Sequence, residues 1–400
     1  MRIVSTAFGA CLFLSLACHA TRAAPPNVKS AGESTDAERP SLAKMLPSLR
    51  LLEPIWSSDI IHRESLICVS DQEGRPAVGK LLFPASKLLA VHSADGLRTF
   101  ATGEDFEFTP GARELTLTPK SAIPQFASAD LFPPKGAPRS IPSKTGDPSR
   151  SVLFDNGHWF HDQQIEVTYQ RADKAAWPGR IPTLAAKELS KTLARLRDKK
   201  KITLAVSGDS ISEGYNASGF SKASPWMPPY PDLVAEQLRQ AYGADVQLHN
   251  RAVGGWSVGK GVEDLDALLA TQPDLIMIAY GMNDVGGRNP EVFRDAIGKM
   301  LEKIRTVRPN AEVILVATMI GNSDWVHTPR DMFEPYRDAL ASFVGPGVAL
   351  ADMTDLWAHL LKHKRVIDVN GNGVNHPSDF GHRLYAQVIL ALLVAPPESK

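Results

Sequence analysis

The stretch ITLAVSGDSIS, residues 202–212, decides the fold of the second half of this chain. Its apolar run, 202–208, ends at a glycine and is followed at once by small polar residues. An apolar run bounded by turn residues predicts a strand that is buried on both faces. Similar runs recur four times downstream, at 245–253, 274–281, 312–319 and 348–353.

Helical patterns lie between these runs. Strands that alternate with helices indicate a parallel sheet covered by helices on both faces. In such sheets the ligand site lies beyond the carboxyl ends of the strands. The predicted helices cover 183–199, 229–242, 259–271, 290–307, 329–344, 354–364 and 379–394.

Polar motifs stand where the predicted strands end. If the sheet is parallel, these motifs meet at one edge. They are SGDSIS (207–212), NRAVGGWS (250–257), GMND (281–284) and, near the end of the chain, NHPSDFGH (375–382).

Acyl transfer needs a nucleophile, a base and hydrogen-bond donors for an oxyanion, and these motifs contain candidates for each. Ser210 opens a helix after a strand, and His376 is held in place by the proline that follows it. Gly255 can bring a bare backbone N–H to a substrate, and Asn283 offers a side-chain amide. Taken singly, each residue also has a structural role as a cap, a turn residue or a buried histidine.

The ordered set of motifs resembles the SGNH/GDSL hydrolase superfamily over residues 200–395, about half of the chain. The resemblance rests on Gly208-Asp209-Ser210, Gly255, Asn283 and His376 at successive strand ends. The motif around Ser210 differs from the nucleophile elbow of α/β-hydrolases, which needs glycine two residues after the serine, where this chain has Ser212.

The resemblance implies a three-layer, flavodoxin-like α/β/α domain over 183–398 that uses no cofactor. It implies that Ser210 is the nucleophile and His376 the general base. It also implies an oxyanion hole built from the N–H groups of Ser210 and Gly255 and the side chain of Asn283.

One position departs from the family pattern. The family places an aspartate three residues before the catalytic histidine, where this chain has Gly373. Two alternatives follow for the group that orients His376. Asp368, eight residues upstream, is brought back by the intervening loop, or a backbone carbonyl serves in a Ser-His dyad. We slightly favour the dyad, because nothing in the sequence forces the loop to fold back. Asp379 stands at a helix start, where capping is its expected role.

The same stretch also matches the template of an EF-hand calcium loop. Two positions count against calcium. Position 12 holds aspartate instead of a bidentate glutamate, and position 9 holds His376, a poor ligand for a hard cation. We therefore interpret the stretch as the catalytic-histidine loop and predict no metal. The matching residues are Asp368, Asn370, Asn372, Gly373 and Asp379 at template positions 1, 3, 5, 6 and 12.

The first half of the chain has a different pattern. Short apolar or alternating runs separated by Gly, Pro and Asp predict a small antiparallel β-sandwich domain over 51–175. Within it, 133–150 is predicted to be a long surface loop because it is rich in proline and glycine. The region resembles the N-terminal domains of exported bacterial members of the superfamily. The predicted strands cover 87–94, 105–110, 114–119 and 163–170.

The N-terminus has the pattern of an export signal. A short apolar run follows Arg2, and small residues continue to Ala24, which predicts a signal peptide over 1–24 and a loose leader over 25–50. The predicted location is therefore secreted or periplasmic. Cys18 offers the alternative of a lipoprotein, although Ser15 is a poor match to that signal. Cys68, the one cysteine outside the signal, is predicted to be a buried apolar residue.

The predicted function is a serine esterase that removes acyl groups, favouring acetyl groups on carbohydrate. The 44 basic and 44 acidic residues balance, which gives no support to a nucleic-acid partner. Among the aromatic residues near the site, Trp256 is the predicted substrate contact. The alternatives are an esterase for lipid or peptidoglycan-linked esters, and a carbohydrate-binding protein that has kept the fold and lost the chemistry.

Overall fold

The computed structural model describes residues 41–396, which belong to one compact unit. The predicted signal peptide and most of the predicted leader lie outside the described residues. The boundary drawn between a domain at 51–175 and one at 183–398 stays a prediction.

The described chain contains fifteen strands, which alternate with helices only in its second half. They are β1 (Ile60–Leu66), β2 (Cys68–Ser70), β3 (Val78–Lys80), β4 (Ala85–Ser93), β5 (Phe106–Phe108), β6 (Glu114–Leu117), β7 (Gln125–Ala127), β8 (Ser140–Lys144), β9 (Asp147–Leu153), β10 (Ile165–Arg171), β11 (Ile202–Gly208), β12 (Val246–Asn250), β13 (Leu275–Ala279), β14 (Glu312–Ala317) and β15 (Val348–Asp352).

Eleven α-helices accompany these strands in residues 41–396. They are α1 (Leu42–Leu49), α2 (Trp159–Gln163), α3 (Ser190–Arg197), α4 (Ser210–Glu213), α5 (Tyr230–Tyr242), α6 (Val258–Leu269), α7 (Pro290–Val307), α8 (Phe333–Ala341), α9 (Met353–Leu360), α10 (Val366–Val369) and α11 (Asp379–Leu393). Within the described part of the chain, none of the helices combines the length and apolarity needed to cross a membrane.

The second half of the chain forms a parallel five-stranded sheet with the order β12-β11-β13-β14-β15. Every residue of β11, β13 and β14 is buried, as their continuous apolar runs predict. Around the sheet, α5 packs against α11, and α7 packs against both α6 and α8. The strand order is flavodoxin-like, so the predicted α/β/α fold is confirmed.

The first half of the chain is rich in β-structure, as predicted. It has an antiparallel sheet, β1-β10-β4, and a five-stranded sheet, β5-β6-β3-β2-β7. A separate hairpin joins β8 and β9. We call residues 60–171 the front region.

The hairpin corrects the prediction of a long loop over 133–150. Its turn passes through Gly146, which has a φ of 75°. Glycine adopts this left-handed conformation without steric cost, so it allows the chain to reverse between Lys144 and Asp147. Glycine therefore marks the turn of a hairpin here, and Pro142 and Pro148 lie within its two strands.

The end of the predicted loose leader is also ordered. Helix α1 buries Leu46 and Leu49, which lie three positions apart and so share one face. That face packs against α5. The leader prediction is therefore wrong for 42–49, where the apolar periodicity outweighs the polar composition of the preceding residues.

A buried ion pair joins the front region to residues 202–393, which we call the α/β part. Lys364 donates from Nζ to Glu64 Oε1 at 2.6 Å, and both side chains are completely buried. The same ammonium group donates to the carbonyl groups of Ser65 and Lys80. Tyr169 donates its hydroxyl to the other carboxylate oxygen of Glu64 at 2.7 Å. The pair is thus fully hydrogen-bonded, which a buried pair needs to offset its desolvation.

Cys68 is buried in β2, as the sequence predicts. Burial, with a smaller contribution from the charge of Asp368, raises the pKa of its thiol to about 12. The thiolate is the reactive form of cysteine, so this thiol is inert at neutral pH.

Candidate active site

Hydrogen bonds tie together the loops that follow β11, β12 and β13. Gly254 donates its backbone N–H to Glu213 Oε2 at 2.5 Å, which joins the first two loops. Asn283 donates from Nδ2 to the carbonyl oxygen of Trp256 at 2.9 Å, which joins the second loop to the third. The three sequence motifs therefore meet at the carboxyl edge of the sheet, as predicted.

Ser210 is positioned by a tight turn from β11 into α4. Asp209 caps this short helix, because its Oδ1 accepts the backbone N–H of Ile211 at 3.0 Å. Gly208 makes the turn possible, since a Cβ there would lie 2.6 Å from the hydroxyl oxygen of Ser212. Ser210 is the first residue of the helix and is 5% exposed.

His376 lies against this serine. Its Nε2 is 2.8 Å from Ser210 Oγ, and the residue is 6% exposed. Burial, with a smaller contribution from His382, lowers the pKa of His376 to about 3. The imidazole is therefore neutral at pH 7 and has the capacity to accept the serine proton.

The other ring nitrogen of His376 has two side-chain neighbours. Asn216 Oδ1 lies 2.8 Å from Nδ1, and Asn372 Nδ2 lies 3.0 Å from it. Neither is the carboxylate or the backbone carbonyl that the sequence suggested. Asn216 belongs to none of the sequence motifs, and its only signal was its place in a turn six residues after Ser210.

Asp368 does not orient His376, so that prediction is wrong. Its Oδ1 accepts the backbone N–H of Ile67 at 2.8 Å, and its Oδ2 accepts that of Arg365 at 2.7 Å. The carboxylate is fully buried at the start of α10 and against the front region. Proximity in sequence was misleading, because α10 directs this side chain toward β1 and β2.

Several of the oxygen atoms that a calcium ion would need have other partners. Asn372 Oδ1 accepts the backbone N–H groups of Val374, Asn375 and His376. Asp379 Oδ1 accepts that of Ser218 at 2.7 Å. These oxygens therefore stabilise the backbone of the histidine loop and its neighbour at Ser218 through hydrogen bonds. In the part of the chain that the structure describes, no three His, Cys, Asp or Glu side chains cluster in a way that suits a metal ion.

Two of the residues predicted for the oxyanion hole, Gly255 and Asn283, are exposed. Gly255 has a φ of 80°, and no atom lies within 4 Å of the position a Cβ would take. Asn283 is exposed and uses one amide N–H on Trp256, which leaves the second N–H for a substrate oxygen. The half-buried indole of Trp256 packs against the core. The oxyanion roles of Ser210, Gly255 and Asn283 and the substrate role of Trp256 stay predictions.

Two carboxyl groups border the serine loop, the buried Asp209 and the half-buried Asp284. Burial raises the pKa of Asp209 to about 7 and that of Asp284 to about 6. Asp284 accepts the backbone N–H of Val258 at 3.1 Å, which holds the start of α6. At pH 7 Asp284 is therefore mostly ionised and Asp209 is about half ionised, so burial reduces the negative charge near the serine loop without removing it.

Known structures resemble part of this chain. One is a two-domain esterase active on acetylated mannans, with 20% identity and a TM-score of 0.43. The match covers 54% of this chain and 55% of that one, so it spans about half the length of each. Another is a catalytic mutant of an acetylxylan esterase from Geobacillus stearothermophilus, with 18% identity, a TM-score of 0.39, and coverage of 48% and 94%.

The family of the α/β part is given by its sequence. No curated protein matches the chain. Residues 206–384 match the model of the GDSL-like lipase/acylhydrolase family, and this segment includes Ser210, Gly255, Asn283 and His376. Residues 206–384 therefore form a domain of the GDSL-like lipase/acylhydrolase family.

Proposed function

We propose that this protein is a serine esterase. The observation that carries the proposal is the 2.8 Å contact between Ser210 Oγ and Nε2 of a buried, neutral His376. A neutral imidazole at hydrogen-bond distance from a serine hydroxyl is the arrangement that general-base activation of a nucleophile needs.

The reaction proceeds in two halves. Ser210 Oγ attacks the carbonyl carbon of the ester while His376 Nε2 takes the hydroxyl proton. When the tetrahedral intermediate collapses, the imidazolium returns that proton to the leaving alcohol, and an acyl-enzyme remains. Water then attacks the acyl-enzyme with His376 again as the base, which releases the acid and restores Ser210.

The negative oxygen of each tetrahedral intermediate needs donors. The backbone N–H groups of Ser210 and Gly255 and the free amide N–H of Asn283 supply them in this proposal. Supporting observations are the hydrogen bonds that tie the three loops together and the open space over Gly255. Donors that are already held in place stabilise such an oxygen without the reorganisation that water molecules would need.

The proposed substrate is an acetyl ester on a carbohydrate, and the proposed location is outside the cytoplasm. Both rest on the pattern of the N-terminus and on the resemblance to exported two-part members of the superfamily. The exposure of Asn283 and of the neighbouring Gly255 and Val253 supports the substrate class, because an open rim leaves room for a bulky alcohol.

The serine assignment is tested with p-nitrophenyl acetate. We expect Ser210→Ala to lose at least about 10³-fold in kcat, because it removes the atom that forms the acyl-enzyme. Ser212→Ala is a matched control, since Ser212 is a buried serine two residues away that bonds Tyr230 instead of His376. If Ser210→Ala keeps the parent activity, the esterase assignment fails and a binding protein becomes the better interpretation.

The substrate class is tested separately by acetate release. Acetylated glycans, acylated peptidoglycan and short- and long-chain lipid esters are compared at equal ester concentration with the parent and with Ser210→Ala. Serine-dependent acetate release from a glycan is the expected result. Serine-dependent release only from lipid or peptidoglycan esters would keep the esterase and reject the carbohydrate.

A further inference from the structure

We infer that Asn216 is the positioning residue of His376 and that the backbone of the front region holds Asn216 in place. The inference rests on the proposed hydrolysis through Ser210 and adds a residue to it. The resulting series of hydrogen bonds runs from Ser210 through His376 to Asn216. From Asn216 it continues to the backbone carbonyl groups of Gly157 and Asn156 in the front region.

The hydrogen bonds of Asn216 fix which way its amide points. Its Nδ2 donates to the carbonyl oxygen of Gly157 at 2.9 Å and lies 3.4 Å from that of Asn156. In the flipped orientation, the amide oxygen would face these carbonyl oxygens and repel them. The amide oxygen of Asn216 therefore points toward His376.

This orientation selects a tautomer of His376. Among the described residues, the only donor that faces Asn216 Oδ1 is His376 Nδ1, at 2.8 Å. When Nδ1 carries the proton, Nε2 presents its lone pair to Ser210, as a general base requires. The pairing is also buried, since Asn216 is 4% exposed, so a buried acceptor would be left without a donor in the other tautomer.

Asn372 is the competing neighbour of Nδ1. Its Nδ2 would donate to Nδ1 in the other tautomer, in which Nε2–H would point at the serine. However, this amide already has an acceptor, because Nδ2 donates to Asn375 Oδ1 at 2.9 Å. Asn372 thus has an acceptor for one of its two N–H groups without His376, whereas Asn216 Oδ1 has no donor other than the His376 proton among the described residues.

The backbone at Asn216 is adapted to this position. Its φ is 61°, in the left-handed region, which asparagine enters more readily than most residues with a side chain. The preceding turn leaves α4 through Gly214, so Asn216 follows directly from the helix that begins at Ser210. One short segment therefore carries both the nucleophile and the residue that orients its base.

The front region also explains why the carboxylate of the family pattern is absent. Gly373 has a φ of 83°, and a Cβ there would overlap the carbonyl oxygen of Leu153 and lie 2.5 Å from Cζ of Phe160. An aspartate at 373 would therefore collide with the front region. The segment 153–160 thus excludes the usual orienting group and supports Asn216 instead.

The test uses two variants of the full chain. Asn216→Leu removes the acceptor at similar size, and we expect kcat to fall about 10- to 100-fold with KM changed less than threefold, because the base is no longer held in the right tautomer. Asn216→Asp keeps the acceptor for Nδ1 and adds a charge that stabilises the imidazolium, while its second oxygen faces the carbonyl oxygens of Gly157 and Asn156, so we also expect a lower melting temperature. We expect it to retain more activity than Asn216→Leu and to move the acid limb of kcat/KM upward by about one to three pH units.

The groups that face the His376 ring besides residue 216 are the same in both variants, so they should not contribute to the shift of the acid limb. They are Ser210, the ring of Tyr215 with its centroid 5.1 Å away, Asn372 and His382. The matched control is Asn322→Ala, because Asn322 Nδ2 donates to the carbonyl oxygen of Gly373 at 2.9 Å and so supports the same loop. We expect it to lower the melting temperature and leave the acid limb in place.

Nitrogen-15 NMR of the histidine rings gives a readout that needs no turnover. We expect Nδ1 of His376 to be protonated and Nε2 unprotonated at pH 7. A protonated Nε2, parent-like kcat in Asn216→Leu, or an unmoved acid limb in Asn216→Asp would each overturn the inference. Failure of the proposed function is distinct, since it would show as activity in Ser210→Ala.

Discussion

The nucleophile and the base of this site are placed by different kinds of structure. Ser210 is placed locally, by a buried strand, one glycine and a capped helix turn that lie within the twelve residues 202–213. His376 is placed by contacts from distant segments, since Asn216 lies against its ring and Leu153 and Phe160 pack on its loop. Substitutions that disturb the front region should therefore displace His376 and leave the parallel sheet intact.

The largest effect is expected from Lys364→Met, which leaves Glu64 charged and unpaired in the interior. Losing one member of a buried pair costs about 3–5 kcal/mol of unfolding free energy. Urea denaturation measures this cost. We expect Glu64→Gln combined with Lys364→Met to be more stable than Lys364→Met alone. Equal stability of the two would show that the pair does not join the halves.

A somewhat smaller loss is expected from Gly373→Ala. A side chain there meets the front region and requires a left-handed φ, so we expect a loss of about 2–4 kcal/mol. kcat should fall with stability because the histidine loop moves. Gly345→Ala is the control, since no atom lies within 4 Å of its Cβ position. A Gly373→Ala protein with parent stability and activity would contradict the close docking.

The pH profile of the parent tests the environment of the base. The pKa of His376 is lowered from 6.5 to about 3 by burial, so the neutral form persists below pH 6.5. We expect kcat/KM at pH 5 to stay within about threefold of its value at pH 7, whereas a base with a pKa of 6.5 would lose about 30-fold. The profile is read only where circular dichroism shows that the protein is folded. An acid limb near pH 6.5 would contradict the predicted environment.

The smallest effect is expected on the sheet side, from Asp284→Asn. The folded-state pKa of Asp284 is raised to about 6, so its contribution to stability is greatest below pH 4 and is lost as pH rises through 6. The asparagine keeps an acceptor for the Val258 N–H and does not ionise. We expect its stability relative to the parent to rise by about 1–2 kcal/mol between pH 4 and pH 7. The unfolding free energies of the two proteins are measured by urea denaturation at each pH. If both change equally with pH, the pKa of Asp284 is not raised.

The difference between the two regions also explains what the sequence could predict. The five parallel strands and the meeting of Ser210 with His376 follow from local patterns and from the rule that places sites at strand ends. Asn216 could not be found in this way, because its role depends on carbonyl groups about 60 residues away. The hairpin from Ser140 to Leu153 was missed because turn residues dominate its composition.

Asp368 shows the limit of reasoning from sequence distance. It is the carboxylate nearest to the histidine on the upstream side, yet it bonds Ile67, about 300 residues away, and the start of its own helix. A buried carboxylate is most stable where backbone N–H groups are unpaired, and here these lie at a helix start and at a strand end. The sequence alone does not show that the unpaired N–H groups of Ile67 and Arg365 lie side by side, because this depends on how the front region packs against the α/β part.

The contacts of Asn216 with the carbonyl groups of Asn156 and Gly157 have a consequence for the order of folding. A chain whose parallel sheet has formed but whose front region has not docked would possess a nucleophile without a correctly held base. Such an intermediate would be native-like in its helical signal and silent in an ester assay. During refolding, recovery of catalysis should therefore lag behind recovery of secondary structure, and the length of that lag would time the docking of the two halves.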